Sequence, residues 1–488
     1  MKRSDAYRSG WLLLLTLVVA LSCGRSFDGR PAGDGTDRSA FLFPDYRDVT
    51  VPCNIAPLNF YYTAPEGSGF VTTFTSGDRS VTIRGRDVVW KKKAWAGIMA
   101  AGADIDVSSS WKSGGKRETL SWRILVSPDR IDPYLTYRLI EPGFEVWDDL
   151  EIQERNLESF GVTILSDWRH TENKCMNCHI HSQGRGDLSM FYLRGEGGGA
   201  ILNRGGTLRK LTLRDSSMIS STVYGEIHPG GRFGVFSTNI IIPAMHSFGR
   251  NRMEVYDTAS DLCVADFDEN RMLTFPQFSG DGTFETFPVF SADGNHVYFC
   301  TAPYRKLPAG LDQLMYSLVR VPFDAETGML GPQVDTVWSA SARGKSVCHP
   351  KASPDGRWLL FTVSAYGTFP VNHQECDLCM LDLESGEIVP LDGVNSDKSD
   401  SYHSWSSDSR WFAFASKRGD GLYAKPYFSH CSADGAVTKP FLLPQADPHF
   451  YDRMLRSFNV PDLGRAPVGF DAGEIGRIWR EVPAEPFD

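Results

Sequence analysis

The stretch Pro350–Phe361, PKASPDGRWLLF, carries the pattern that decides the fold. Its Ser-Pro-Asp-Gly turn reverses the chain, because Asp-Gly adopts positive φ at little cost. The apolar run WLLF that follows has the composition of a buried strand. A single hairpin of this kind cannot bury both of its faces, so the pattern predicts neighbours of the same type.

Three further copies of this hairpin occur in the second half of the chain. They are Glu226–Ser237 (EIHPGGRFGVFS), Pro288–Phe299 (PVFSADGNHVYF) and His403–Phe414 (HSWSSDSRWFAF). Aligned at His228, Ser291, Ser353 and Ser406, the four copies are 63, 62 and 53 residues apart. This spacing is typical of propeller blades, so the repeat predicts an all-β fold with a β-propeller of five or six blades.

The composition agrees with a chain rich in strands and turns. The 488 residues include 46 Gly and 28 Pro, and 12% of the residues are aromatic. A formal net charge of −10 gives no global attraction to nucleic acid, so no nucleic-acid partner is expected.

The N-terminus has the pattern of an export signal. Lys2, Arg3 and Arg8 precede the short apolar run Trp11–Leu21, and Cys23 follows that run directly. This resembles a bacterial lipobox, which predicts lipidation of Cys23 and a location in the cell envelope, on the periplasmic side. The membrane is then contacted only through the lipid. The alternative is an ordinary secretory signal with a chance cysteine.

The remaining chain divides by its patterns into five parts. Residues 24–45 read as a flexible tether, 46–130 as a small β-sandwich-like domain, 131–186 as a connector, 187–455 as the propeller and 456–488 as a C-terminal tail. Within the connector, the apolar spacing of Phe144–Phe160 predicts a helix.

The connector contains Cys175-Met176-Asn177-Cys178-His179, a C-x-x-C-H pentapeptide. Two thiols at this spacing can add to the two vinyl groups of one haem, and the adjacent His179 can then ligate the iron. Export fits this chemistry, because covalent haem attachment takes place outside the bacterial inner membrane. The motif predicts one covalent haem c.

Other interpretations of the pentapeptide stay open. Cys175 and Cys178 could form a disulfide or a redox dithiol, or they could hold zinc with His179 and His181. A second C-x-x-C, Cys376–Cys379, could complete such a zinc site, but it lacks a following histidine. The other cysteines are scattered singly and are expected to be small core residues.

The sixth iron ligand is predicted to be Met190. On a strand, Met190, Tyr192 and Arg194 share a face, which places a thioether beside a guanidinium that could pair with a haem propionate. The alternative is an ordinary core methionine. Further candidate ligands are Met218, His228, Met245 and His246.

The order of motifs resembles a known family. The repeats are similar to those of TolB-type and WD40-like propellers. Together with VPCNIAPLNF (51–60), YRLIEPG (137–143), QERNL (153–157), the C-x-x-C-H motif, SYHSWS (401–406) and PFLLPQ (440–445), they resemble Bacteroidetes-type TolB-like lipoproteins, often labelled cytochrome c biosynthesis proteins. The resemblance covers about residues 45–460 and implies architecture more than activity.

The sequence therefore predicts an envelope propeller lipoprotein with one haem, acting in electron transfer or in docking with an envelope or redox partner. No catalytic Ser/His/Asp set, G-x-S-x-G elbow or H-E-x-x-H helix is recognised, so any enzymatic role is at most redox. The alternative function is a TolB-type binding module for protein or glycan, in which the C-x-x-C-H site is a structural disulfide or a zinc site.

Overall fold

Two packed sheets form the N-terminal part of the described chain. The computed structural model describes residues 41–64, 66–141, 150–245 and 253–488, without the side chains of Asn177, Cys178 and Met245. The first strands are β1 (Leu42–Phe43), β2 (Thr50–Pro52), β3 (Phe60–Tyr62), β4 (Ser68–Ser76), β5 (Arg79–Arg84), β6 (Asp87–Val88), β7 (Ile105–Ser113) and β8 (Lys116–Ser127). They form a three-stranded sheet β1-β3-β6 and a five-stranded sheet β2-β8-β7-β4-β5.

Aromatic side chains fill the space between these two sheets. The ring of Phe60 lies 6.4 Å from that of Phe74 and 6.1 Å from that of Trp122. Helix α1 (Lys92–Met99) packs on β4 and β5. The same hydrophobic cluster continues into Trp411 and Phe458, which belong to the propeller described next. The N-terminal sheets thus share a core with the rest of the protein.

Six sheets of at least four strands follow in the described residues. Their strands are β9 (Tyr134–Ile140), β10 (Glu151–Asn156), β11 (Val162–Asp167), β12 (Met176–Ser182), β13 (Arg185–Leu193), β14 (Gly199–Arg204), β15 (Thr207–Thr212), β16 (Thr222–Ile227), β17 (Phe233–Met245), β18 (Met253–Asp266), β19 (Arg271–Thr274), β20 (Thr283–Phe290), β21 (His296–Pro303), β22 (Ser317–Pro322), β23 (Asp335–Trp338), β24 (Ser346–Ala352), β25 (Trp358–Ser364), β26 (Asp377–Asp382), β27 (Ile388–Val389), β28 (Asp400–Trp405), β29 (Trp411–Ser416), β30 (Lys425–His430), β31 (Phe441–Leu442), β32 (Ser457–Gly464) and β33 (Glu485–Pro486). Short helices connect some of them: α2 (Ala340–Arg343), α3 (Phe450–Arg453), α4 (Ala472–Glu481) and the 3-10 turns Pro276–Phe278, Leu311–Gln313 and Pro370–Asn372.

The six sheets are the blades of a propeller. Blade 1 has the order β32-β9-β10-β11, blade 2 has β12 to β15 with β33 at its edge, and blades 3 to 6 have β16–β19, β20–β23, β24–β27 and β28–β31. The first strand of each blade contacts the first strand of the next, in the order β12, β16, β20, β24, β28, β32 and back to β12. The ring is therefore closed, and these six inner strands surround its axis. The predicted all-β propeller fold is confirmed.

Each predicted hairpin repeat joins the first two strands of a blade. In the third copy, Ser353 Oγ donates to Asp355 at 2.6 Å and accepts the Trp358 N–H at 2.9 Å, which explains the Ser-x-Asp spacing. The fourth copy has Ser409 in place of glycine, at a φ of 61°. Its hydroxyl accepts the backbone N–H of Asp355 at 2.9 Å, which ties two blades together.

One sequence interpretation needs correction. The helix predicted over Phe144–Phe160 is wrong for the described residues, because 151–156 form strand β10 in the middle of blade 1. Pairing on both edges overrides the helix-favouring Glu, Gln and Arg side chains of this segment. The residues interpreted as a connector (131–186) supply strands β9 to β12 to two blades, and the tail (456–488) supplies β32, which closes the ring.

Candidate functional site

A ring of β-bulges surrounds the propeller axis. In every inner strand the pairing register shifts at the same level, which leaves one or two residues unpaired. These are residues 178–179, 223, 287–288, 349–350, 402 and 460–461. Phe287, His349, Tyr402 and Val460 adopt φ values of 52°, 50°, 44° and 50°, a strained conformation for bulky residues. Bulges of this kind redirect side chains, here toward the axis.

The bulges line an axial cavity of about 680 Å³. All six inner strands contribute to its wall, and most of the lining side chains are apolar, among them Ile140, Leu150, Ile180, Ile241 and Val289. A volume of this size is in the range of cavities that enclose cofactors and small molecules.

The C-x-x-C-H motif lies in the wall of this cavity. Cys175 directly precedes β12, His179 lies at the bulge of β12, and both line the cavity. In a regular strand, residues three apart point to opposite faces. The register shift between Asn177 and Ile180 interrupts this alternation.

His179 is held as a neutral imidazole. Its Nε2 lies 2.9 Å from the carbonyl oxygen of Val460, on the neighbouring inner strand. Burial lowers the pKa of His179 to about 3, and the positive charges on His181 and Arg138 act in the same direction. A neutral imidazole is the form that ligates metals.

The motif also has a structural equivalent in other blades. Cys178-His179 occupies the bulge position of Phe287-Pro288, His349-Pro350 and Val460-Pro461. Three of these four two-residue bulges thus have proline at the second position, and β12 has histidine there. Aligning the residues before the repeat turns of blades 4 and 5 would have revealed the equivalence of Phe287-Pro288 and His349-Pro350 in the sequence.

An aromatic belt covers the wall contributed by four consecutive blades. Ring centroids are 4.3 Å apart for Tyr224 and Phe287, 4.3 Å for Phe287 and His349, and 4.5 Å for His349 and Tyr402. These residues come from β16, β20, β24 and β28, whereas the C-x-x-C-H motif lies on β12. The sequence repeat did not single out any of the four as a site residue.

The charged residues of the cavity wall are mainly basic. Arg138, Arg194 and Lys351 line it, with Asp462 as the acidic residue among the described lining. Lys351 Nζ donates to Glu226 at 2.9 Å. Burial alone would lower the pKa of Lys351, but Glu226 and Asp462 raise it, so the ammonium stays charged. The cavity thus favours a ligand with apolar surface and anionic groups.

A two-stranded arm covers one side of the cavity. Residues 239–245 and 253–260 of β17 and β18 pair with each other beyond the described ends of β16 and β19. Ile241, Pro243, Met253 and Val255 of this arm line the cavity. Glu254 fixes the arm to blade 5, because it accepts hydrogen bonds from Tyr366 at 2.7 Å and from His373 at 2.9 Å.

The structure does not bring Met190 to the motif. Met190 lies on β13 in a hydrophobic cluster between blades 2 and 3, with Leu202, Ile227 and Phe236, and it does not line the cavity. Of the three residues predicted to share a face, only Arg194 reaches the cavity wall. This geometry supports the alternative interpretation of Met190 as a core methionine.

The other candidate ligands lie elsewhere. Met218 is in the same interblade cluster as Met190, and His228 caps the first repeat turn by accepting the Gly230 N–H at 2.9 Å. The side chain of Met245, together with Cys23 and His246, is outside the described residues.

No cluster of metal-ligating side chains is formed by the described residues, a set that does not include the Cys178 side chain. Cys376 and Cys379 are buried away from the cavity wall, with Cys376 Sγ 3.3 Å from the Asp400 carbonyl oxygen. The zinc site in which they would join the C-x-x-C-H motif is not assembled.

Comparison with known proteins gives distant similarity to solved structures. Neither a protein-family model nor a curated protein matches the sequence. TolB from Acinetobacter baumannii is similar at 13% identity over 76% of this chain and 85% of that chain, with a TM-score of 0.42. A puromycin-hydrolyzing peptidase from Mycobacterium tuberculosis is similar at 12% identity over 71% and 52%, with a TM-score of 0.36. An oligogalacturonate lyase from Vibrio parahaemolyticus is similar at 13% identity over 61% and 71%, with a TM-score of 0.35. At these values the similarity assigns no activity to this chain, and the propeller fold rests on its own closed ring of blades.

Proposed function

We propose that this chain is an exported envelope protein that holds one covalent haem c on the propeller axis and transfers electrons to a partner. The observation that carries the proposal is the position of the C-x-x-C-H motif. Cys175 and His179 both line the axial cavity, so a thiol and an imidazole of the motif face a space large enough for a cofactor.

The cavity wall suits haem in three further respects. Its apolar surface matches the faces of a macrocycle, and Arg138, Arg194 and Lys351 can pair with the two propionates. His179 is neutral, as a ligand must be. Ligation through Nε2 would require His179 to give up its hydrogen bond to the Val460 carbonyl oxygen.

The attachment chemistry needs no oxidant. Each thiol would add across one vinyl C=C bond, with sulfur bonding to one carbon and hydrogen to the other. Haem, when bound, supplies one-electron oxidation and reduction at its iron. The chain itself orients the group through Cys175, Cys178 and His179, and its apolar wall keeps water from the site.

Covalent attachment is tested by expression with an active c-type maturation system. Wild-type protein is expected to be coloured and to keep its haem on a denaturing gel, because thioether bonds survive unfolding. Cys175→Ala combined with Cys178→Ala should abolish the haem band, and His179→Ala should lower the haem yield and alter the absorption spectrum. As a matched control, Cys376→Ala combined with Cys379→Ala should keep the haem, because that C-x-x-C has no adjacent histidine.

A colourless wild-type protein that carries stoichiometric zinc or a Cys175–Cys178 disulfide would contradict the haem proposal. In that case the protein is a binding module for protein or glycan. The aromatic belt favours this second function, because the faces of Tyr224, Phe287 and Tyr402 can pack against the apolar faces of sugar rings. The C-x-x-C-H residues would then have the structural role of the other bulges.

The N-terminal sequence is the basis for a proposed location of the protein. We propose lipidation of Cys23 and anchoring on the periplasmic side of the envelope, with a redox protein of the envelope as partner. No helix in the described part of the chain is long and apolar enough to cross a membrane.

A further inference from the structure

We propose that His349 would be the second protein ligand of the haem iron, from the side of the cavity opposite His179. This inference rests on the proposed function and assigns a ligand that the sequence motifs did not indicate. It is carried by the position of His349, by the state of its ring nitrogens and by the surroundings of the competing side chains.

The ring of inner strands places His349 opposite the C-x-x-C-H motif. His349 lies at the bulge of β24, which is three strands away from β12 in a closed ring of six. His179 and His349 therefore line the same axial cavity from opposite walls, at the same bulge level. Two imidazoles in this relation can take the two axial positions of one iron.

The side chain of His349 makes no hydrogen bond within the described protein. Both of its ring nitrogens are buried and lack a hydrogen-bond partner, whereas its ring is partly exposed to the cavity. An unsatisfied buried polar group destabilises the folded protein. Its φ of 50° adds backbone strain.

The other side chains near the axis are less suited to this position. His403 Nε2 lies 2.9 Å from the Leu360 carbonyl oxygen and is engaged there. His181 is on the same strand as His179 and is not part of the lining of the main cavity. Met190 is packed between blades 2 and 3. Among the described residues, His349 alone combines the opposite wall with two unpartnered ring nitrogens.

The chain itself offers the variant that tests this role. Phe287 occupies the equivalent bulge of β20 at almost the same φ, so His349→Phe keeps an aromatic ring that this backbone accepts. Tyr402→Phe is the matched control, because it changes the neighbouring member of the belt without removing a nitrogen ligand. Without haem, His349→Phe should be at least as stable as wild type in urea unfolding, because it removes the unsatisfied nitrogens.

With haem attached, absorption and electron paramagnetic resonance spectra provide the decisive measurement. Wild type and Tyr402→Phe are expected to be low-spin, and His349→Phe is expected to become high-spin and to bind added cyanide faster. Haem-containing His349→Phe with the wild-type low-spin spectrum would overturn the inference and leave the haem proposal intact. A loss of the low-spin state in Met190→Leu instead would assign the position to the thioether. Wild type without haem would overturn both proposals.

Discussion

At the scale of single residues, buried carboxyls beside the cavity determine part of the stability. Asp257 lies on β18 at the base of the arm, is fully buried and accepts a hydrogen bond from Asn239 at 2.9 Å. Burial raises the pKa of Asp257 to about 7, because one hydrogen bond does not replace the lost hydration of the carboxylate. The folded protein therefore favours the protonated form of this side chain.

The raised pKa predicts a loss of stability as pH increases. An unfolded aspartate has a pKa near 3.9, so Asp257 stabilises the fold fully below that value, and this contribution is lost as pH rises through about 7. The free energy of unfolding of wild type should fall by about 2–4 kcal/mol between roughly pH 5 and pH 8 because of Asp257, and Asp257→Asn should not show this part of the decrease. Urea unfolding at both pH values measures it. Asp281→Asn, at an exposed carboxyl, is the control, and an equal pH slope in wild type and Asp257→Asn would contradict the argument.

The buried histidines act in the opposite direction. Burial lowers the pKa of His179, His349 and His403 to about 3. The contribution of each histidine to folding stability is therefore complete above pH 6.5 and is lost as pH falls toward 3. Comparing Asp257→Asn with wild type at each pH cancels these histidine effects, because all three are present in both proteins.

The residues of the candidate site could be predicted only where they form a sequence motif whose spacing suits a known chemistry. C-x-x-C-H identified Cys175 and His179, and both line the cavity. His349 could not be found in this way, because its sequence neighbours Cys348 and Pro350 form no known motif. Its relation to the motif depends on β12, which is three strands away in the ring. Met190 was selected by its distance along the chain, but the pleat of β13 directs it into an interblade core.

At the scale of elements, the repeat hairpins were predictable and blade 1 was not. The four repeat turns follow local rules, and all four join the first two strands of a blade. Strand β10 contains Glu154 and Arg155, both buried, which sequence patterns assign to exposed positions. Glu154 accepts the Val468 N–H at 2.9 Å and Arg155 donates to the Pro444 carbonyl at 3.0 Å. Such long-range partners leave no local signal.

The arm of blade 3 is the element expected to control access to the cavity. Glu254→Ala removes the hydrogen bonds from Tyr366 and His373, and hydrogen bonds to a charged group contribute about 1.5–3 kcal/mol. Amide hydrogen exchange in residues 239–245 and 253–260 should therefore become at least about 10-fold faster. Exchange in blade 6 should stay unchanged.

Glu269→Ala serves as the control for the arm, because this exposed side chain lies on the same blade outside the arm. Unchanged exchange in the arm of Glu254→Ala would mean that its apolar contacts with the cavity wall, and not the hydrogen bonds to blade 5, hold it in place.

At the scale of the whole molecule, β32 joins the end of the propeller to its beginning. It pairs with β9 along Ser457–Gly464 and forms the inner strand of blade 1. It also contributes Val460 and Asp462 to the cavity wall. The ring, the cavity and the hydrogen bond of His179 all depend on this one strand, which comes about 290 residues after β11 in the chain.

Removing a core contact of β32 should therefore destabilise the protein as a unit. Phe458 is 1% exposed and its ring lies 4.8 Å from that of Tyr137 on β9. Phe458→Ala should lower the free energy of unfolding by about 3–5 kcal/mol, the cost of truncating a fully buried aromatic side chain. Val334→Ala, at a residue that is 46% exposed, should change it by less than about 0.5 kcal/mol.

C-terminal truncation distinguishes the effect of closing the ring through β32 from the effect of losing packing contacts. A chain ending at Met454 lacks β32, so β9 becomes an unpaired inner edge and blades 1 and 6 lose their contact. It should show no single cooperative unfolding transition. A chain ending at Phe470 keeps β32 and loses only α4 and β33, so it should still unfold cooperatively at a lower urea midpoint. If the shorter chain unfolds as cooperatively as the longer one, the ring does not need β32. The stability of the propeller would then reside in pairwise contacts between blades, as in an open repeat array, and not in closure.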